Sequence, residues 1–146
     1  MERKVLLASD GSENALRAAD FAAGLAASLP DLKITVLVVN DVLEKMKYYS
    51  PLHSPVIFEE FDAFFKAKSE DALKRTLEAL EKHGLQAEGV IKVGNPAQEI
   101  VNFAREGGFK QIVIGSRGLG SLKGIVLGSV SLKVVHLADC PVTVVK

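Results

Sequence analysis

"QIVIGSRGLGSLKGIVLGS" (residues 111–129) decides how this chain is read. A short apolar run, "QIVI", leads into a stretch at 115–129 with five glycines, two basic side chains and no carboxylate, and "SVSLKVVHLA" (129–138) continues at helical spacing. The order is strand, glycine loop, helix. Such a loop exposes backbone N–H groups beside the partial positive charge of a helix N-terminus, so phosphate is its natural guest. Glycine lets the backbone approach a ligand closely, and Arg117 and Lys123 can neutralise charge. Ser129 falls at the helix start, where its hydroxyl either caps the helix or bonds a phosphate oxygen, and Ser131 offers a second hydroxyl.

Working outward, the same alternation recurs. "KVLLAS" (4–9) is an apolar strand closed by the turn residues "DGS". The helix that follows runs from about Glu13 to Pro30, with Ala15, Leu16, Ala19, Ala22, Ala23 and Ala26 as a small-residue face suited to close packing on a sheet. "KITVLVVN" (33–40) is β-branched with almost no alternation, as in a strand buried on both faces. Residues 41–57, "DVLEKMKYYSPLHSPVI", have two prolines and no period, which predicts a long loop. From Phe58 to Gly84 a long amphipathic helix is predicted, with Phe58, Phe61, Phe64 or Phe65, Ala72, Leu73, Leu77 and Leu80 as its core face.

"QAEGVIKVG" (86–94) is the third strand. "NPAQEIVNFAREGG" (95–108) then opens a helix with Asn95 as N-cap, Pro96 at its first position and Gln98 three residues after the cap. "KQIVIG" is the fourth strand and "CPVTVV" the last. Five strands with four intervening helices predict an α/β fold, a parallel sheet with helices on both faces. Ligands in such sheets sit beyond the carboxyl ends of the strands. "SDGS", "VGNP", "GSRGLG" and the pair Val39 and Asn40 all fall on that rim.

Composition narrows the function classes. A chain of 146 residues with 48% apolar residues is expected to form a single domain, 1–146. With 18 basic and 18 acidic side chains the formal net charge is zero, so no global field exists to hold nucleic acid or an anionic membrane. Cys140 is the single cysteine, which excludes an internal disulfide and a cysteine zinc cluster and points to the cytoplasm. Its expected state is an inert, buried thiol. In "MERKVLLASDGSENA", Asp10 and Glu13 interrupt the apolar run before a signal-peptide core or membrane span can form.

Two nucleotide signatures fail. GxxxxGK[ST] is absent because Lys123 precedes Gly124, and GxGxxG is not met because Lys123 takes the sixth place after Gly118 and Gly120. What does fit, through Gly115, Gly118, Gly128 and Ser129, is G-2x-G-9x-G-[ST]. The chain thereby resembles the ATP-binding subgroup of the universal stress protein (UspA) family, and the resemblance extends to the "SDGS" turn and "VGNP".

That resemblance implies a Rossmann-like, adenine nucleotide alpha hydrolase-like fold with strand order 3-2-1-4-5. It implies that Asp10 holds the adenine or ribose side, that Ala8 and Ser9 line the pocket, and that Val39 meets adenine through its backbone. Ile114, Gly115, Arg117 and Gly118 would meet ribose and phosphate, and Gly128, Ser129, Val130 and Ser131 would cradle the phosphates. The implied ligand is ATP, or ADP or AMP, with magnesium or manganese entering through the phosphates. From the residues alone, Asp10 serves equally as a turn or cap residue.

No P-loop lysine is present, and His136 on the last helix is expected to be a surface or core residue, so the chain is expected to bind nucleotide with slow hydrolysis at best. A true ATPase and a nucleotide-free interaction scaffold are the competing readings. "CPVTVV" is expected at a sheet edge, where pairing with a second copy would remove an aggregation hazard. The family resemblance likewise implies a homodimer through this strand, with Val142, Val144 and Val145 as interface residues; protein partners remain unspecified.

Overall fold

The computed structural model describes residues 2–48, 55–117 and 127–146, and of residues 55–57 the backbone alone. The elements run β1 (Arg3–Ala8), α1 (Glu13–Ser28), β2 (Leu32–Asn40), α2 (Val42–Met46), α3 (Pro55–Glu81), β3 (Glu88–Val93), α4 (Pro96–Glu106), β4 (Gln111–Gly115), α5 (Ser129–Leu137) and β5 (Val142–Val145). All five strands are parallel, as the sequence predicts, and stand in the order β3-β2-β1-β4-β5 that the family resemblance implies. The central strand β1 therefore reverses the order, which places a crevice between the ends of β1 and β4.

The sheet separates two apolar cores. On one face Leu7, Val36, Val38 and Val113 meet the alanines of α1 and, from α3, Ala72 and Leu80. On the other, Leu6, Leu37, Ile112 and Ile114 meet Ala97, Ile100, Val101 and Ala104 of α4 and Val134 of α5. Central strands that serve both faces must be apolar throughout, which is why β2 lacks alternation.

α1 buries Asn14, Ala15, Ala18, Ala19, Ala22 and Ala23. Leu16 and Ala26, expected on that face, are only half-buried. Helix starts follow local rules: Ser12 Oγ accepts from Ala15 N at 3.2 Å, and Asn95 Oδ1 accepts from Gln98 N at 3.1 Å.

The predicted long loop at 41–57 is corrected at both ends. Val42–Met46 form the short helix α2, and α3 already begins at Pro55. Asn40 Oδ1 accepts from Val42 N at 3.0 Å and Val42 is buried. Lys45 reaches back to Asp41 at 3.8 Å. Five residues span little more than one turn, too few for a periodic signal. Residues 49–54 lie outside the described residues.

The aromatic face of α3 is corrected too. Phe65 is buried, whereas Phe58 and Phe64 are exposed. Phe61 stacks on Phe65 with ring centroids 4.8 Å apart, and Phe64 meets it edge-on at 5.6 Å. Leu80 and Thr76, further along, are fully buried, so the helix joins the core through its C-terminal half.

Candidate nucleotide site at the sheet rim

At the carboxyl ends of β1, β2 and β4 lies a cavity of about 260 Å³. Its floor is the strand ends, Ala8, Ser9 and Asp10 after β1, Leu37, Val38 and Val39 on β2, and Ile114 and Gly115 on β4. One wall is α3, through Phe65, Lys68, Ser69 and Ala72; the other is Pro96 and Ile100 of α4. Arg117 and the start of α5, Gly128 to Ser131, close the end beside β4. Every described residue singled out from the sequence as a ligand contact borders this cavity. Gly118, with Gly120 and Lys123, lies outside the described residues.

Helix α5 begins differently from α1 and α4. Its N-cap is Gly128, and no side-chain hydrogen bond caps it among the described residues. Ser129 is thus the first helical residue and not the cap. The first intrahelical bond runs from Leu132 N to Gly128 O at 3.0 Å. The N–H groups of Ser129, Val130 and Ser131 consequently have no carbonyl partner within the helix, and they carry the positive end of its dipole. The exposed Ser129 lines the cavity at this end.

Ser131 has a different employment from the one its position suggests. Its hydroxyl donates to Ser116 O at 2.8 Å and to Gly128 O at 3.1 Å. The single proton is committed to the backbone, which leaves none for a phosphate oxygen; what Ser131 offers a ligand is its main-chain N–H. The same clamp includes Gly128 N donating to Ser116 O and Ser116 N donating to Val145 O, each at 2.7 Å. Strand β5 and the start of α5 are thereby held to the end of β4.

The β1 turn is built around two side chains. Asp10 Oδ1 accepts from Ser12 N at 3.0 Å, a local turn, while the residue also lines the cavity. Ser9 Oγ accepts from Gly11 N at 3.1 Å and lies 2.7 Å from Thr76 Oγ1. Thr76 itself donates to Ala72 O at 2.7 Å, so Ser9 is the donor between the two hydroxyls.

At two of these positions glycine is required for packing. A Cβ on Gly115 would sit 2.9 Å from Asn14 C, because the first turn of α1 lies against the end of β4. Gly11, at φ +77°, would place its Cβ 2.9 Å from Ala72 Cα of α3.

Several lining residues escaped the sequence reading: Lys45, Phe65, Lys68 and Ser69. The signal was present in α3, where 65, 68, 69 and 72 recur at i, i+3, i+4 and i+7 with mixed character, an odd composition for a purely core-facing stripe. Lys45, Lys68 and Arg117 face Asp10 and Asp41 around the cavity, which tilts its lining toward anions.

A family model described as the universal stress protein family matches residues 1–146. The chain belongs to the universal stress protein family. Universal stress protein YxiE of Bacillus subtilis (strain 168) is 36% identical over 148 residues, covering all of both chains. The solved structure of MJ0577, from Methanocaldococcus jannaschii, superposes with a TM-score of 0.83 at 29% identity, covering 100% of this chain and 96% of that one. An Arabidopsis thaliana universal stress protein family member solved with AMP bound has a TM-score of 0.69 at 26% identity, covering 99% and 91%. Like them, this universal stress protein has a doubly wound α/β architecture. No helix among its described residues is long and apolar enough to cross a membrane.

Proposed function

We propose that this universal stress protein binds an adenine nucleotide along the rim of its sheet, ATP in the first instance with ADP or AMP as alternatives, and works as a nucleotide-dependent regulatory module rather than an enzyme. The observation that carries the reading is the uncapped start of α5 facing a cavity whose floor is the β1, β2 and β4 ends. Three N–H groups without a carbonyl partner among the described residues and Arg117 suit phosphates, and the apolar floor toward Val39 suits a base. The AMP held by the Arabidopsis family member supports the same ligand class. Magnesium or manganese would accompany the phosphates.

The proposed working form is a homodimer in the cytoplasm, each chain acting as one domain, paired through β5. In its support, β5 has a neighbour on one side only in the sheet, and Val142, Val144 and Val145 are half-buried. Sedimentation velocity of the parent and of Val145→Lys is expected to give dimer and monomer respectively; a monomeric parent overturns the pairing.

The nucleotide test is to denature the purified, undialysed protein and separate the released small molecules by ion-pair chromatography, beside a Gly128→Ala, Ser129→Ala double variant. Adenine nucleotide near one per chain in the parent and none in the variant is expected. The ATP-to-ADP ratio over time bounds hydrolysis. A parent that is empty and also takes up no added ATP with magnesium overturns the reading in favour of a nucleotide-free scaffold.

A further inference from the structure

The geometry points to Phe65 and Ser69 of α3 as the base-reading pair of the cavity, so that a planar aromatic base, and not phosphate alone, is what the site selects. This rests on the nucleotide reading above and assigns its specificity. Phe65 is the one aromatic side chain bordering the cavity among the described residues, and only 8% of it is exposed. Its ring packs against Phe61 at 4.8 Å and edge-on against Phe64 at 5.6 Å, so it is already held in place and needs little ordering when a base arrives. Lys68 Nζ stands 5.7 Å from the ring centroid, at the outer reach of a cation–π contact, on a flexible exposed side chain that a base displaces at small cost.

Ser69 is the second, independent observation. The residue is 7% exposed and lines the cavity, yet its hydroxyl makes no hydrogen bond among the described residues, unlike Thr76 one face-repeat further on, which donates to Ala72 O. A serine inside a helix ordinarily returns its proton to a carbonyl one turn back or points to water. Here it points into the cavity one turn from Phe65, where it can bond a polar edge atom of a base held near the ring. The position fits: α3 packs over β2 and α1, on the far side of β1 from Arg117 and α5. Two strand spacings, roughly 10 Å, separate the β2 end from the β4 end, the separation a ligand with a base at one end and phosphate at the other would span.

The test is calorimetric titration of the parent, Phe65→Leu, Phe65→Tyr and Ser69→Ala with ATP and, separately, with inorganic tripolyphosphate, each variant first checked by its thermal melt. Phe65→Leu is expected to weaken ATP about tenfold or more. Ser69→Ala should weaken it about fivefold, and Phe65→Tyr should stay near the parent. Tripolyphosphate should bind all four within twofold. Unchanged ATP affinity in folded Phe65→Leu makes Phe65 a mere wall and overturns the assignment. Equal losses for ATP and tripolyphosphate also overturn it, because the effect would then be structural. A parent that binds neither ligand instead refutes the nucleotide reading itself.

Discussion

The hydroxyls of Ser9 and Thr76 lie 2.7 Å apart, 67 residues distant in sequence, and bind the end of β1 to the C-terminal half of α3. Thr76 is fully buried and Ser9 nearly so. Thr76→Val keeps the shape but strands the Ser9 hydroxyl, and a loss of about 1–3 kcal/mol is expected in urea unfolding. Adding Ser9→Ala should cost less than the sum of the singles, since the two groups share one bond. Strict additivity would show that the hydroxyls do not interact.

Three glycines should respond to alanine in opposite directions. Gly115→Ala drives a Cβ into the backbone of Asn14 and is expected to cost about 1–3 kcal/mol. Gly11→Ala adds the left-handed penalty, roughly 1–2 kcal/mol, to a similar overlap with Ala72. Gly24, within α1, has nothing within 4 Å of the added carbon, and Gly24→Ala should stabilise by about 0.5–1 kcal/mol. Thermal melts of the three variants check the order.

Gly128 has φ −73°, which any residue adopts. Gly128→Asp therefore supplies the side-chain acceptor that α5 lacks among the described residues, with a gain of about 0.3 kcal/mol expected for the ligand-free protein, since glycine is itself a tolerable cap. The same carboxylate occupies the N–H groups and repels an anion, so ATP binding should disappear. A variant that is stabilised and still binds ATP would separate the phosphate position from α5.

Burial, with a smaller contribution from Asp139, raises the pKa of the Cys140 thiol above its ordinary value. At the pH where an ordinary thiol is half ionised, about 8.5, the thiolate is scarce and alkylation by iodoacetamide should be slower than for the unfolded chain. The rate should climb at higher pH, and Asp139→Asn should move that climb downward. Linkage has a definite sign: the folded state keeps its proton longer, so stability is lost as pH rises from the unfolded value through the folded one. Equal alkylation rates for folded and unfolded chains would contradict the assigned shift.

Much of the rim was legible before any coordinates. Runs such as "KITVLVVN" report burial on both faces because a central parallel strand must be apolar everywhere. Caps and turns such as Asn95 with Pro96 report helix starts because those bonds are local. Strand order, with the crevice it creates, follows from the family resemblance carried by Gly115, Gly128 and Ser129.

Tertiary structure decided what those residues do with their atoms. Ser131 donates its proton to Ser116 O, Gly115 is small for the sake of α1, and Phe65 borders the cavity while Phe58 and Phe64 of the same predicted stripe are exposed. Each outcome depends on a partner from another element, and in α3 the period alone could not separate a face on the core from one on a cavity. Local chemistry determined where the strands and helices of this protein begin; only the packing of distant segments determined which side chains were left facing the cavity.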